Sequence, residues 1–136
     1  MTKPIPQIMK YMTQAPISIE KDAPLIEASL LMQKHHIRHL AVMLNGKIDG
    51  ILSSTDVTLI RTLSGVDMEK LKVRDCYTAN PFKVTPETLL DEVLDEMAEK
   101  KYGCVLVSDN DHLVGIFTWV DALKATKSLL ETRLRK

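Results

Sequence analysis

The feature that most constrains this chain is that it contains itself twice. A shift of 65 residues lays Thr13-Gln-Ala-Pro16 on Thr78-Ala-Asn-Pro81 and Leu25, Glu27 and Met32 on Leu90, Glu92 and Met97. The same shift carries Val42, Asn45, Gly50, Ile51 and Asp56 onto Val107, Asn110, Gly115, Ile116 and Asp121. Ten of the 46 pairs from residue 13 to residue 58 are identical, with no gap. A duplication of this length means two copies of one supersecondary unit. The expected domains are a first repeat over 1–64, a linker over 65–72 and a second repeat over 73–136.

Each copy has the same predicted order of strand, helix, strand, strand, helix. An extended piece follows the proline: Ile17, Ser18, Ile19 in the first copy and Phe82, Lys83, Val84 in the second. Leu90, Val93, Leu94, Met97 and Ala98 then recur at helical spacing, as do Leu25, Ala28 and Met32. Thr85-Pro86 has the pattern of an N-cap followed by proline at the first helical position, Asp22 is the candidate cap in the first copy, and Gly103 is the expected end of the second helix. Two strands follow in each copy. Leu40 to Leu44 and Lys47 to Leu52 are joined by the turn signal Asn45-Gly46; Cys104 to Val107 and Leu113 to Phe117 are joined by Asp109-Asn110-Asp111. Closing helices are expected from near Ser54, running out at Ser64-Gly65, and from near Trp119 onward through Lys124 to Lys136. A unit of about 60 residues buries too little surface to be comfortable alone. The pattern therefore predicts an α/β (α+β) fold in which two β-α-β-β-α repeats pack about a pseudo-twofold axis.

The last strand of each copy enters its helix through Gly50-Ile-Leu-Ser53-Ser-Thr-Asp56 or Gly115-Ile-Phe-Thr118-Trp-Val-Asp121. Glycine lets a backbone approach a ligand closely, and a hydroxyl beside free N–H groups at a helix N-terminus suits a phosphate. An ionised aspartate can accept hydrogen bonds from both hydroxyls of a ribose. The same Ser/Thr-x-x-Asp spacing also makes a capping box that needs no ligand, and both readings can hold at once. Two copies in register, each between a strand and a helix, favour a ligand site.

The duplicated unit ending in this motif resembles the CBS domain, named for cystathionine beta-synthase. Two in tandem are similar to a Bateman module, over about Pro6 to Lys127. The resemblance implies a regulatory, non-catalytic module that binds AMP, ADP, ATP or S-adenosylmethionine and pairs into a homodimer that modulates another protein. It also implies two clefts. Cleft A would combine Thr118 and Asp121 with Thr13, Ile17, Ser18, Ile37, Arg38 and His39. Cleft B would combine Ser53 and Asp56 with Thr78, Phe82, Lys83, Tyr102 and Gly103. Asp56 and Asp121 would hold ribose, Ser53 and Thr118 would lie near phosphate, and the apolar residues would flank adenine. Arg38 and His39 place cations on cleft A that Gly103 and Cys104 do not supply to cleft B. Cleft A is therefore expected to take the more highly charged nucleotide. Arg38 has a plainer alternative in a surface salt bridge.

Other constellations are weaker. Net charge is zero, with 18 basic and 18 acidic residues, which argues against a nucleic-acid stripe or a polybasic membrane patch. The basic tail Arg133, Leu134, Arg135, Lys136 suits a helix C-terminus. No window approaches the ~20 apolar residues of a membrane span, and Cys76 and Cys104 lack CxxC spacing, so a cytoplasmic protein with reduced thiols is expected. His35, His36 and His39 lack the glutamate of a zinc-protease helix and are expected as exposed residues at a helix end. Asp91, Glu92, Asp95 and Glu96 are expected on a solvated helix face, answered in part by Lys100 and Lys101. Trp119 is expected to pack at a surface, with Leu123, Leu130 and Leu134 available for a partner. The competing functional readings are a nucleotide-processing enzyme with an unrecognised centre and a ligand-free dimerisation scaffold.

Overall fold

The computed structural model describes residues 4–134. Arg135 and Lys136 of the basic tail lie outside the described residues. The chain divides into two compact units, one formed by Pro16–Pro81 and the other by Met1–Ala15 with Phe82–Lys136.

In the Pro16–Pro81 unit a four-stranded sheet has the order β2-β3-β4-β5. Its strands are β2 (Ser18–Glu20), β3 (His39–Leu44), β4 (Lys47–Ser53) and β5 (Thr78–Ala79), and its helices are α1 (Leu25–His35) and α2 (Ser54–Arg61). The other unit repeats this plan with the order β1-β8-β7-β6. Here β1 is Thr13–Gln14, β6 Lys83–Val84, β7 Cys104–Asp109 and β8 His112–Thr118; the helices are α3 (Leu90–Lys100) and α4 (Trp119–Arg133). In each sheet the parallel pair, β2 with β3 or β6 with β7, is spanned by a helix, and an antiparallel hairpin follows.

Both hairpins turn through two residues with positive φ, Asn45 and Gly46 in one and Asn110 and Asp111 in the other. That backbone matches the twist of the flanking strands, which is why Asn and Gly mark such turns. Both hairpins also carry a bulge at the equivalent place, between Val42 and Met43 and between Val107 and Ser108.

The periodic stripes point inward as expected, except that Ala98 is exposed. Ile19, Leu25, Leu40, Leu52 and Val73 fill one core; Ile8, Leu90, Val105, Phe117 and Ala125 fill the other. Each of these side chains except Ala125 contributes about 1.5–3 kcal/mol by leaving water.

Four expected helix boundaries are corrected. α1 and α3 begin after Pro24 and Leu89, with no side-chain cap. Their first amides are satisfied instead by distant carbonyls: Leu25 N–H donates to Leu71 O at 2.9 Å and Leu90 N–H to Pro6 O at 2.8 Å. Asp22 is free to pair with Arg74. Thr85-Pro86 opens a turn in which the Thr85 N–H donates to Thr88 Oγ1 at 3.2 Å. α3 ends at Lys100, capped by Lys101 in the left-handed region with φ 60°, and not at Gly103. α2 likewise stops at Arg61, before the expected Ser64-Gly65.

Short segments ahead of each repeat complete the units. Ile8–Lys10 and Val73–Asp75 form 3-10 turns, followed by β1 and β5 at the sheet edges. The sequence pattern gave no sign of these pieces.

Candidate functional site

The motif glycines are explained within each unit. A Cβ on Gly50 would meet the Thr78 carbonyl and the Tyr77 ring; one on Gly115 would meet the Met12 side chain. Close packing of the segment ahead of β5 or β1 thus excludes a larger residue. The expectation that these glycines admit a ligand is replaced by this closer cause.

The motif ends at α2 and α4, where Ser53 and Thr118 are N-caps in extended conformation. At α2 the capping box is complete: Ser53 N–H donates to Asp56 Oδ2 at 3.1 Å and Asp56 N–H donates to Ser53 Oγ at 3.1 Å. Asp56 Oδ1 accepts no hydrogen bond among the described residues.

Asp121 is held more closely. Thr118 N–H donates to its Oδ2 at 2.9 Å, and the Thr118 hydroxyl donates to the same oxygen at 3.3 Å. The Thr13 hydroxyl donates to Oδ1 at 3.0 Å across 108 residues of chain. Asp121 is only 9% exposed, whereas Asp56 is half-buried. Thr78 occupies the place of Thr13, opposite Ile51 as Thr13 is opposite Ile116. No bond joins Thr78 to Asp56 among the described residues. Two motifs of one sequence pattern therefore have different hydrogen-bond loads.

Both helices also have their first amide occupied. Ser54 N–H donates to Arg38 O at 2.8 Å and Trp119 N–H to Gly103 O at 3.3 Å. This narrows the free N–H groups expected at the helix heads, since one of them at each end is spent inside the protein.

The Pro16–Pro81 unit brings Arg38, His39, Ser53, Asp56 and Thr78 into one sheet-and-helix frame, with Ile17, Ser18 and Ile37 on the same unit. His39 is opposite Ser53. Burial pushes its imidazole below the ordinary histidine range; the Asp56 charge opposes that and the Arg38 charge adds to it. Arg38 is exposed and forms no salt bridge among the described residues, so its plainer alternative is not realised there. The other unit brings together Thr13, Thr118 and Asp121, and carries Phe82, Lys83, Tyr102 and Gly103. Phe82 and Tyr102 stack on each other, ring centres 5.3 Å apart and planes 25° from parallel. Lys83 is exposed in β6.

A cluster missed at the sequence level lies on the Pro16–Pro81 unit. Tyr77 O–H donates to Asp49 Oδ2 at 2.5 Å, Lys21 Nζ lies 3.2 Å from the same oxygen, and Lys21 also sits over the Tyr77 ring. The Tyr77 hydrogen bond first, and then Lys21, hold Asp49 below the ordinary carboxylate range. Its members are 28 and 56 residues apart, so no local motif announces it.

Both cysteine thiols are held in the protonated form. Burial pushes Cys76 up to about 11, with Asp56 and Asp75 adding to the effect. Burial pushes Cys104 up as well, so neither thiol is a ready thiolate at neutral pH. No group of three or more potential metal ligands forms among the described residues. The carboxylates of α3 lie mostly exposed, but Lys100 and Lys101 form no ion pair with them among the described residues. No helix among the described residues is long and apolar enough to cross a membrane.

These paired frames, each a parallel βαβ with a hairpin leading to an aspartate-capped helix, define a tandem-repeat module. A family model described as the CBS domain matches residues 8–61 and 73–128, and the chain belongs to that family. A Vibrio cholerae protein named for acetoin utilization (AcuB) superposes with a TM-score of 0.85, is 27% identical, and is matched over 98% of both chains. The CBS domain pair of protein MJ0100, solved with 5′-methylthioadenosine and S-adenosyl-L-methionine, has a TM-score of 0.83 at 24% identity, covering 92% of this chain and 98% of that one. Arabinose 5-phosphate isomerase KdsD of Escherichia coli K12 is 33% identical over 81 residues, 60% of this chain and 24% of the isomerase. The chain spans about a quarter of the length of the curated relatives it first matches.

Proposed function

We propose that this chain is a non-catalytic regulatory module that binds an adenosyl ligand (AMP, ADP, ATP or S-adenosylmethionine) and transmits its occupancy to a partner protein. The observation that carries the reading is the repeated placement of a motif aspartate at the head of a helix, with a carboxylate oxygen of Asp56 left uncommitted. A carboxylate so placed suits the two adjacent hydroxyls of a ribose. Ser53 and Thr118 would lie near phosphate, aided by what remains of the helix N-termini. Ile17 and Ile37 on the Pro16–Pro81 unit, and the Phe82–Tyr102 stack on the other unit, each offer an apolar surface to an adenine. The two adenosyl compounds bound by the MJ0100 domain pair support the ligand class. Arg38, His39 and Lys83 are the cations available to phosphate, with Ser18, Thr78 and Gly103 completing the proposed contacts and Thr13 beside Asp121.

A homodimer is part of this reading. Trp119, Val120, Leu123, Leu130 and Leu134 are exposed apolar residues on or directly after α4, more than a solvated helix ordinarily shows. Binding would bias a partner only so far as the two states of the module differ in affinity for it.

Thermal denaturation with AMP, ADP, ATP, NAD and S-adenosylmethionine tests the proposal. A ligand at one hundred times its dissociation constant stabilises the fold by ~2.7 kcal/mol. The expected result is a rise in Tm with at least one adenosyl compound and no turnover of it. No shift with any of them, with an intact dimer, would favour a ligand-free scaffold; turnover of ATP would favour an enzyme.

A further inference from the structure

Resting on the ribose-binding role of the motif aspartates, we propose that Thr13 makes the two nucleotide sites unequal: the site containing Asp56 fills first, and the site containing Asp121 fills only after a ligand displaces Thr13.

The inference starts from acceptor capacity. A carboxylate offers about four lone-pair positions. Asp121 already accepts three donors, from the Thr118 N–H, the Thr118 hydroxyl and the Thr13 hydroxyl. Two further donors from a ribose exceed what remains, so one existing bond must break. The Thr118 N–H is the helix cap and belongs to the backbone. The Thr118 hydroxyl shares Oδ2 with that amide, whereas Thr13 alone occupies Oδ1, the oxygen that Asp56 leaves free. Thr13 is exposed on a two-residue edge strand and is the partner a ribose must displace to use that oxygen as it would on Asp56. Asp56 accepts one donor, from the Ser53 N–H, and keeps one whole oxygen free. The repeat supplies an internal control, because Thr78 has the same residue type and register as Thr13 yet makes no bond to Asp56 among the described residues. The asymmetry is thus one of hydrogen bonding and not of composition.

Hydrogen bonds to charged groups are among the stronger ones. Displacing one from an exposed hydroxyl should weaken the Asp121 site by roughly fivefold to tenfold. Arg38 and His39 bear on phosphate and leave this ribose term unchanged.

Calorimetric titration with AMP separates the possibilities. Wild type should show two unequal binding events; Asp56→Asn should remove the tighter and Asp121→Asn the weaker. Thr13→Val, isosteric but without the donor, should tighten the weaker event by about fivefold to tenfold. Thr13→Ser, which keeps the donor, should behave as wild type. Loss of the tighter event in Asp121→Asn would overturn the inference, as would weaker binding in Thr13→Val, which would mean that Thr13 helps to hold the ligand. Absence of binding in wild type would instead overturn the underlying ribose reading, so the two failures are distinguishable.

Discussion

Truncating the two motif aspartates should cost the ligand-free fold very different amounts. In Asp121→Ala the partly buried Thr118 N–H loses its 2.9 Å acceptor, the carboxylate of a residue only 9% exposed. The hydroxyls of Thr13 and Thr118 can turn toward water, but this amide is fixed by the strand-to-helix geometry. An orphaned buried donor costs about 1–3 kcal/mol, and loss of the acidic partner from the first helical turn adds about 0.3–1 kcal/mol. The expected total is about 1.3–4 kcal/mol. In Asp56→Ala the Ser53 N–H loses its acceptor where water can replace it, while Ser53 Oγ would keep its bond from the amide at position 56. That substitution should cost about 0.5–1 kcal/mol. For 136 residues, an unfolding entropy near 2.1 cal/mol/K per residue makes each kcal/mol worth about 3–4 °C. Asp121→Ala should then lower Tm by about 5–14 °C and Asp56→Ala by about 2–4 °C. Urea unfolding followed by far-ultraviolet circular dichroism, without nucleotide, gives the comparison directly. Equal losses, or an Asp121→Ala variant within 1 kcal/mol of wild type, would show that burying this carboxylate costs about as much as its three hydrogen bonds return.

Three further outcomes follow from the same coordinates. Gly50→Ala should be destabilised by about 3 kcal/mol because the new Cβ meets a backbone carbonyl; Gly115→Ala should lose about 1 kcal/mol because the Met12 side chain can move aside, and chemical denaturation would order the two. Lys101→Gly should stabilise the chain by about 0.5–1 kcal/mol, since the residue sits at φ 60°, where glycine has no steric penalty; no rise in the denaturation midpoint would refute that. His39 has its folded pKa depressed by burial, so its contribution is fully present above the unfolded value near 6.5 and is lost as pH falls through the lower folded value. Stability measured from pH 7.5 downward should therefore decline less steeply in His39→Gln than in wild type.

What the sequence disclosed depended on how local the cause was. The hairpins were legible because Asn45-Gly46 and Asn110-Asp111 carry their own backbone preference. The core stripes of α1 and α3 were legible because helical spacing repeats within eleven residues. The starts of these helices were not, because Leu71 and Pro6 supply their capping carbonyls from far along the chain. Asp22 and Thr85 have suitable side chains but lie two and four residues ahead of the N-caps Pro24 and Leu89. β1 and β5 are two residues long, too short for any alternation to register. At the candidate site, the capping box and both aspartates were visible as spacing. The added bond from Thr13 to Asp121 was not, since Thr78 has the same local sequence role and makes no counterpart.

The adenosyl-site reading is tested most directly by a crystal structure of this chain grown with AMP. The account predicts an adenylate whose ribose hydroxyls lie within hydrogen-bond reach of the Asp56 carboxylate, at higher occupancy than any adenylate on Asp121. A nucleotide bound elsewhere on the surface, with both aspartates still turned solely to their own helix caps and Thr13, would contradict it.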